Sequence, residues 1–551
     1  MDVHFIILQP RENAMEKPES AALVNDQDFP ICRVRQTMLR GTGADLDELR
    51  EKPLIAVVNS HTELNPGHRH LDQLGVKVKE GVHAAGGIPF EFNVPAPCDG
   101  MSEGHEGMRF ILPQRDLIAD MVETHVRSMR FDAVVLIASC DKIIPGMIMA
   151  AARLDLPAIF VTGGPSMWEN RLRRSTQPSR GGGSTAIAGC GACDLMGTAN
   201  TFQCLAEVLG LTLPGCANIP GFHPDKLVFA RRSGRRIVEM VEEHLNARKV
   251  LTPESLENAV IMDLALGGST NATLHLPAIA DALGFALPLA TFNTFNRKIP
   301  TLVAIRPSGP HEIIDLYTAG GIPAVMKVMA GDLHLSALNV TGGTLAEVVA
   351  QAAVLDEEVI PPRDKPHAPE GGTAILYGNL APEGAVIKQS AVAGDMRTFT
   401  GPARVMNSEA EALAAFREGT IREGQVIAIR FEGPKGGPGM PETLAVTMAL
   451  MASPFKRVAL VTDGRFSGAS AGPCVGHVSP EAYVGGPLAA LRDGDMIHID
   501  IPARRIWVDL APEEIDRRLK DFRPPDRPVP QGYMRRYVQH VGSAAGGAVL
   551  A

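Results

Sequence analysis

No long block of basic or acidic residues interrupts this chain, whose formal net charge is −9. That lack argues against a nucleic-acid surface, which needs a clustered basic footprint. No apolar run reaches the length of a membrane span. The Phe5–Leu8 run is too short for a signal-peptide core and has no basic flank, so a cytoplasmic location is expected. A second Cys-x-x-Cys and a His-x-x-x-His are both missing, so Cys190-x-x-Cys193 has no partner with which to close a structural zinc site. No Gly-Lys-Ser/Thr follows Gly267-Gly268, which excludes a phosphate-binding P-loop. Ser467, in Gly464-Arg-Phe-Ser467-Gly468, is not the serine of a Gly-x-Ser-x-Gly hydrolase elbow.

What is present is a chain of 551 residues, too long for one ordinary core, with 55 Gly and 42 Pro to supply turns. Eight cysteines stand at 32, 98, 140, 190, 193, 204, 216 and 474. With no export signal they read as metal or cluster ligands or as buried thiols, not as a disulfide scaffold. Cys204, inside an apparent helix from Ala199 to Leu209, and Cys216, beside Pro214-Gly215, read as core thiols.

The first half alternates apolar runs with helical periodicity. Strands are expected at Pro53–Val58, Ile88–Val94, Phe131–Ser139 and Ala158–Thr162, with helices at Leu71–Ala85 and Arg115–Met129 between them. This is the pattern of βαβ units on a mostly parallel sheet, an α/β fold. Right-handed crossovers put the loops after those strands on one edge, where open α/β sheets bind ligands. That edge collects Asn59/His61, Cys98/Asp99, Cys140/Asp141/Lys142 and Gly163/Gly164. Cys190-x-x-Cys193, opening a helix, reads as a redox dithiol or part of an iron–sulfur ligand set, its thiols favoured as thiolates by a helix N-terminus. The turn Gly267-Gly-Ser-Thr-Asn271 reads equally as an anion-binding N-terminus and as a packing turn.

Residues 1–30 read as an arm, 31–350 as the α/β domain, 351–371 as a Pro/Gly-rich linker and 372–551 as a β-barrel-like domain. Short β-like runs fill this last part at 373–376, 385–388, 403–406, 426–430, 458–461, 496–501 and 505–510, with helices only near 408–417 and 443–452. It carries Glu432–Glu442 and Thr462-Asp463-Gly464-Arg465-Phe466-Ser467-Gly468, with His477 and Glu481 downstream.

Taken together, the motifs resemble those of the iron–sulfur dihydroxy-acid and sugar-acid dehydratases. The carriers are Asn59-Ser-His-Thr62, Cys98-Asp-Gly100 with Gly104–Met108, Cys140-Asp-Lys-Ile-Ile-Pro-Gly-Met147, Cys193 before Met196–Asn200, Gly267–Asn271, Gly433–Glu442 and Asp463–Gly468. The resemblance runs from about Met38 to the C-terminus and is closest to the branched-chain dihydroxy-acid members. It implies a hydro-lyase that converts 2,3-dihydroxy acids to 2-keto acids, in a homodimer or dimer of dimers with no nucleic-acid or membrane partner. It also implies that Cys140 and Cys193 ligate an iron–sulfur cluster, that Asp99, Asp141, Glu442 and a carbamylated Lys142 hold Mg2+, and that Ser467 removes the C2 proton. The cluster would act as Lewis acid on the C3 hydroxyl and magnesium would stabilise the enolate-like charge. Many [2Fe-2S] members carry a third Cys where this chain has Gly67. Cys98 is therefore expected to replace it, with Cys190 as second choice, and the cluster to be [2Fe-2S] or [4Fe-4S]. The competing readings are an aldonic-acid dehydratase, a non-catalytic iron–sulfur sensor or electron carrier, and a thiol oxidoreductase using Cys190/Cys193. In the 167–189 loop, Arg171, Arg173, Arg174 and Arg180 stand as possible polyol contacts.

Overall fold

A computed structural model describes residues 18–25, 30–168, 187–467 and 472–550. The four arginines of the 167–189 loop lie outside the described residues, as do most of residues 1–30.

The first half is built on a parallel sheet of β1 (Leu54–Asn59), β2 (Ile88–Asn93), β3 (Ala133–Ala138) and β4 (Ala158–Thr162), in the order β2-β1-β3-β4. β1, β3 and β4 are buried throughout, which is why they read as unbroken apolar runs. β2 is the edge, half-buried and tolerant of Pro89. The helix Leu71–Ala84 packs against Pro224–Glu242, and Pro113–Met129 against Ile143–Leu154. One large core runs through sheet and helices, from Ile55 and Val135 to Leu264 and Ile322. A two-residue ribbon, β5 (Met167–Trp168) with β6 (Ile187–Ala188), follows the sheet.

The second half closes into an eight-stranded barrel. Its strands are β7 (Ala374–Gly378), β8 (Ala381–Ile387), β9 (Thr398–Met406), β10 (Val426–Ile429), β11 (Ala459–Thr462), β12 (Cys474–Ser479), β13 (Met496–Asp500) and β14 (Arg505–Val508). The strand alternation sorts side chains between two apolar layers. Val426, Ala428, Ala459 and Val461 enter one core, while Ile427, Ile429 and Leu460 enter another with Ala412, Ala415 and Val446 of the helices Glu409–Arg417 and Leu444–Ala452.

Two expectations need correction here. β12, which completes the barrel, was not read as a strand: its Cys-Val-Gly-His-Val-Ser lacks β-branched density and is bulged, with His477 at φ 55°. Two further helices, Pro512–Lys520 and Tyr533–His540, join the two that were expected. Both are short, about two turns each, so their apolar faces, Ile515/Leu519 and Met534/Tyr537, each amount to a single helical repeat in the sequence.

A fourth cluster seals the halves together: Leu112 and Leu274 meet Met440, Met534, Tyr537 and Ala548. Gly439 belongs to this seam. A β-carbon there would fall 1.9 Å from the Arg109 carbonyl oxygen, and its φ is 82°. Only glycine lets the Gly433–Glu442 loop lie this close to the first half.

Candidate active site

The turn from β3 into the helix Ile143–Leu154 carries Cys140, Asp141 and Lys142. Cys140 donates its backbone N–H to His68 Nε2 at 3.0 Å, and His68 Nδ1 lies 2.8 Å from the Ser60 carbonyl. His68 is fully buried, and desolvation lowers its pKa to about 3. It is therefore neutral, with the Nδ1–H tautomer donating to Ser60 and Nε2 accepting from Cys140. The β1 loop thus aims the β3 loop.

Lys142 is 1% exposed and is surrounded by carboxylates. Its Nζ stands 2.7 Å from Asp99 Oδ2, 2.5 Å from Asp141 Oδ2 and 3.2 Å from Glu442 Oε1. Asp99 opens a short helix after β2, and Glu442 ends the Gly-rich loop of the second half. Residues 343 positions apart in the sequence, Asp99 and Glu442, therefore share one cation. One oxygen from each of Asp99, Asp141 and Glu442 lies within 4.8 Å of the others. Burial pushes Asp141 well above the usual carboxylate range, and the neighbouring Asp99 pushes it further. Burial also acts upward on Asp99, but the Lys142 ammonium overrides it and holds Asp99 below its ordinary value.

Glu442 is steadied from three sides. Arg465 Nη1 donates to its Oε1 at 2.6 Å and Asn271 Nδ2 at 2.9 Å, in addition to Lys142. Arg465 Nε donates to the Met440 carbonyl at 2.7 Å. The two C-terminal motifs are also zipped by backbone: Thr443 N–H donates to Arg465 O at 2.9 Å and Arg465 N–H to Pro441 O at 3.2 Å. Ser467, two residues on, is thereby carried to a small cleft lined by Thr270, Lys388, Phe466, Cys474 and His477.

The thiols of Cys98, Cys140 and Cys193 are close enough that each would destabilise its neighbours' thiolates. Desolvation raises Cys98 and Cys140; Cys193, an exposed residue, is raised to about 11 by desolvation, with the Cys98 and Asp99 charges adding to it. Without a metal they are thiols. The Cys193 loop is stitched to the end of β4 by Ala192 N–H on Gly164 O at 2.9 Å, and Asn200 Nδ2 holds the Cys193 carbonyl at 2.5 Å. Cys190 instead lines a separate cavity with Arg69, His70 and Phe222.

One sequence reading of this region fails. Cys193 does not open a helix: the helix Thr198–Val208 begins five residues later, so no helix N-terminus favours its thiolate. Of the two readings of the Gly267–Asn271 turn, the packing turn is the one its hydrogen bonds support. Gly268 N–H bonds to Asp263 O at 2.8 Å, Ser269 N–H to Thr201 Oγ1 at 3.1 Å and Asn271 N–H to Ser269 Oγ at 3.2 Å. As expected, Cys204 and Cys216 are fully buried. Arg465 and Asn271 stand inside quoted motifs with no part assigned to them, and His68, next to Gly67, stands outside them; only the folded geometry shows what the three hold.

Residues 52–348 match the family model of the dihydroxy-acid/6-phosphogluconate dehydratase N-terminal domain, and residues 358–548 that of the C-terminal domain. The chain is 49% identical over 524 residues to the dihydroxy-acid dehydratase of Methanothermobacter thermautotrophicus, covering 92% of this chain and 95% of that one. It is 48% identical over 542 residues to that of Ignicoccus hospitalis, covering 95% and 98%. With the dihydroxy-acid dehydratase of Acetivibrio thermocellus it shares 47% identity over 526 residues, covering 92% and 95%.

Proposed function

The chain belongs to the dihydroxy-acid/6-phosphogluconate dehydratase family, and on that premise we propose that it is a hydro-lyase dehydrating 2,3-dihydroxy carboxylic acids of the 2,3-dihydroxyisovalerate type to 2-keto acids. In the cell this would serve branched-chain amino acid synthesis. The carrying observation is the meeting of two unlike donor sets at one sheet edge: soft sulfur from Cys98, Cys140 and Cys193, and hard oxygen from Asp99, Asp141 and Glu442.

The residues fit the two groups that the family reading implies. The carboxylates form an oxygen-only set of the kind magnesium prefers, and Asp141 Oδ1 is buried with no hydrogen-bond partner. Lys142, carbamylated, would add a fourth oxygen; as ammonium it neutralises the same carboxylates. Three thiols suit an iron–sulfur cluster, [2Fe-2S] or [4Fe-4S], with Cys98 as third ligand and Cys190 held away in its own cavity. When bound, cluster and magnesium would supply Lewis-acid chemistry at the C3 hydroxyl and at the substrate carboxylate and C2 hydroxyl.

The rest falls to the protein. Ser467 would take the C2 proton, its loop held by the Glu442–Arg465 bridge. The buried walls around Lys142, Arg465 and His477 exclude water, which strengthens every charge interaction at the reacting end. We further propose a boundary within 351–371, a cytoplasmic location and a homodimer or dimer of dimers. Among the described residues no helix is long and apolar enough to cross a membrane.

The test is anaerobic reconstitution with iron counting, then 2-keto acid formation from 2,3-dihydroxyisovalerate, gluconate and pentonates. Preference for the branched substrate supports the proposal; preference for the sugar acids would move the chain to the aldonic branch. Full activity in iron-free protein would sink both.

A further inference from the structure

Elimination of water across C2–C3 yields an enol, and the enol becomes a 2-keto acid only when C3 gains a proton. Ser467 is assigned to C2, and the carboxylate cluster to the substrate's carboxylate and C2 oxygen. None of these groups is assigned to C3.

Lys388 stands in the same cleft as Ser467. It follows β8 directly, and Thr270, Phe466, Cys474 and His477 line that cleft with it. It is 7% exposed, and the acceptor its ammonium reaches is the Met196 carbonyl at 3.3 Å, three residues beyond Cys193. So Lys388 spans from the cluster loop to the serine loop. On the helix Pro253–Leu266, Asp263 is fully buried, and among the described residues its two carboxylate oxygens have no hydrogen-bond partner. A β-carbon at Gly268 would fall 2.0 Å from Asp263 Oδ1, so the glycine turn closes over that carboxyl group. His477 from β12 lines the cleft too, buried, with Nδ1 3.3 Å from Thr273 Oγ1 and Nε2 without a partner among the described residues.

We propose that Lys388 is the acid that protonates C3 of the enol, with Asp263 as the buried carboxyl group whose charge bears on it. This rests on the function proposed above. In the step, an N–H bond of the ammonium breaks and a C–H bond forms at C3 with the electron pair of the C=C double bond. The C2–O bond becomes a carbonyl, and the enol O–H proton leaves to solvent, from which the amine is recharged. No oxidant or reductant is involved.

The electrostatics agree with the geometry. Burial lowers the Lys388 pKa to about 8, with the Asp263 charge acting against it, and burial raises Asp263 to about 8. An acid near 8 gives up its proton far more readily than an ordinary lysine near 10.4. His477, lowered by desolvation to about 3, stays neutral and does not compete as a donor of charge.

The experiment uses the reconstituted holoenzyme and a 2,3-dihydroxy acid with two different alkyl groups on C3, so that protonation creates a stereocentre. Wild type should give one C3 configuration. Lys388→Met should lose roughly 100-fold or more in kcat, the usual worth of a positioned acid, and give both configurations in near-equal amounts. Lys388→Arg should keep KM within about twofold but lose the stereocontrol, because guanidinium does not release its proton. Asp263→Asn should move the alkaline limb of the kcat–pH profile to lower pH while leaving the product a single epimer. A single epimer from Lys388→Met, or a limb unmoved in Asp263→Asn, would overturn the proposal. If Lys388→Met fails to fold, Asp263→Asn decides. A wild type that forms the 2-keto acid as a C3 mixture overturns this inference alone, whereas a wild type that forms none overturns the proposed function.

Discussion

Gly67 faces the sulfur of Cys140: a β-carbon at residue 67 would stand 3.0 Å from Cys140 Sγ and 3.2 Å from Asn65 Oδ1. The position is thus a wall beside the Cys140 thiol, and on the proposed ligand set Cys98 of the next loop would supply the third sulfur. Cys98→Ser should leave the reconstituted protein with little iron and no visible charge-transfer absorption. Adding Gly67→Cys to that variant should return part of both, since the new thiol enters the same space. Full iron content in Cys98→Ser alone would remove Cys98 from the ligand set.

Arg465 is fully buried and uses two separate nitrogens, Nη1 on Glu442 and Nε on the Met440 carbonyl. Arg465→Met leaves a buried carboxylate with less compensation, a loss on the order of 3–5 kcal/mol when a buried pair is broken from one side. Lysine has one charged nitrogen and cannot make both bonds. We expect kcat/KM to fall at least tenfold in Arg465→Lys and further in Arg465→Met, with weaker Mg2+ affinity in both. Unchanged Mg2+ titrations in the two variants would show that the bridge holds the loop and not the ion-binding oxygens.

The sheet half of the fold was legible because its signals are local. Fully buried strands are continuous apolar runs, and their ends are Gly-rich or polar, so Cys140 could be placed at a strand terminus from sequence alone. The barrel was legible strand by strand except for β12, where Gly476 and the positive φ of His477 break the pattern of a strand. The meeting of Asp99 with Glu442 was not legible from spacing; it depends on how the barrel docks, through contacts such as Gly439 against Arg109. Lys388 was invisible for the same reason. It is one lysine at the end of a short β run, and only the folded chain puts it in one cleft with Ser467.

Glu207 offers a pH test away from the metal site. It lies on the helix Thr198–Val208, buried, and accepts the N–H groups of Gly215 at 2.6 Å and Ala217 at 2.8 Å. Burial raises its pKa from 4.5 to about 7, against those two hydrogen bonds. The folded state therefore holds a proton that the unfolded state has released between pH 4.5 and 7. Its contribution to stability is fully present below 4.5 and is lost as pH rises through 7, by about 3 kcal/mol. Glu207→Gln cannot titrate, so its stability relative to wild type should climb by about that amount from pH 4.5 to 7.5 and then level off. Denaturant unfolding at four pH values checks this; parallel curves for the two proteins would rule it out.

Arg115 clamps the last described stretch of the chain to the first half. It is fully buried, donating Nη1 to the Gly547 carbonyl and Nη2 to the Ala548 carbonyl, each at 2.9 Å. Its Nε and Nη2 also meet Asp116 Oδ2 at 3.1 and 3.0 Å, and Asp116 Oδ1 takes the Leu550 N–H at 3.1 Å. Arg115→Met orphans two carbonyls and leaves Asp116 buried without its cation, so a loss of about 3–5 kcal/mol is expected. The clamp bears on the site through the helix Ala272–Leu283, which starts right after Asn271, the residue that holds Glu442. A β-carbon on Gly547 would fall 2.7 Å from the Leu274 carbonyl of that helix, so the stretch lies directly on it. Activity in Arg115→Met should therefore decline with the tail's release, at temperatures where the fold as a whole remains intact. Hydrogen exchange would place the first loss of protection at residues 541–550 and 272–278. Adding Asp116→Leu should recover part of the stability by removing the stranded charge, without recovering the tail contacts; loss confined to global unfolding would show that the clamp serves the whole fold and has no separate effect on the site.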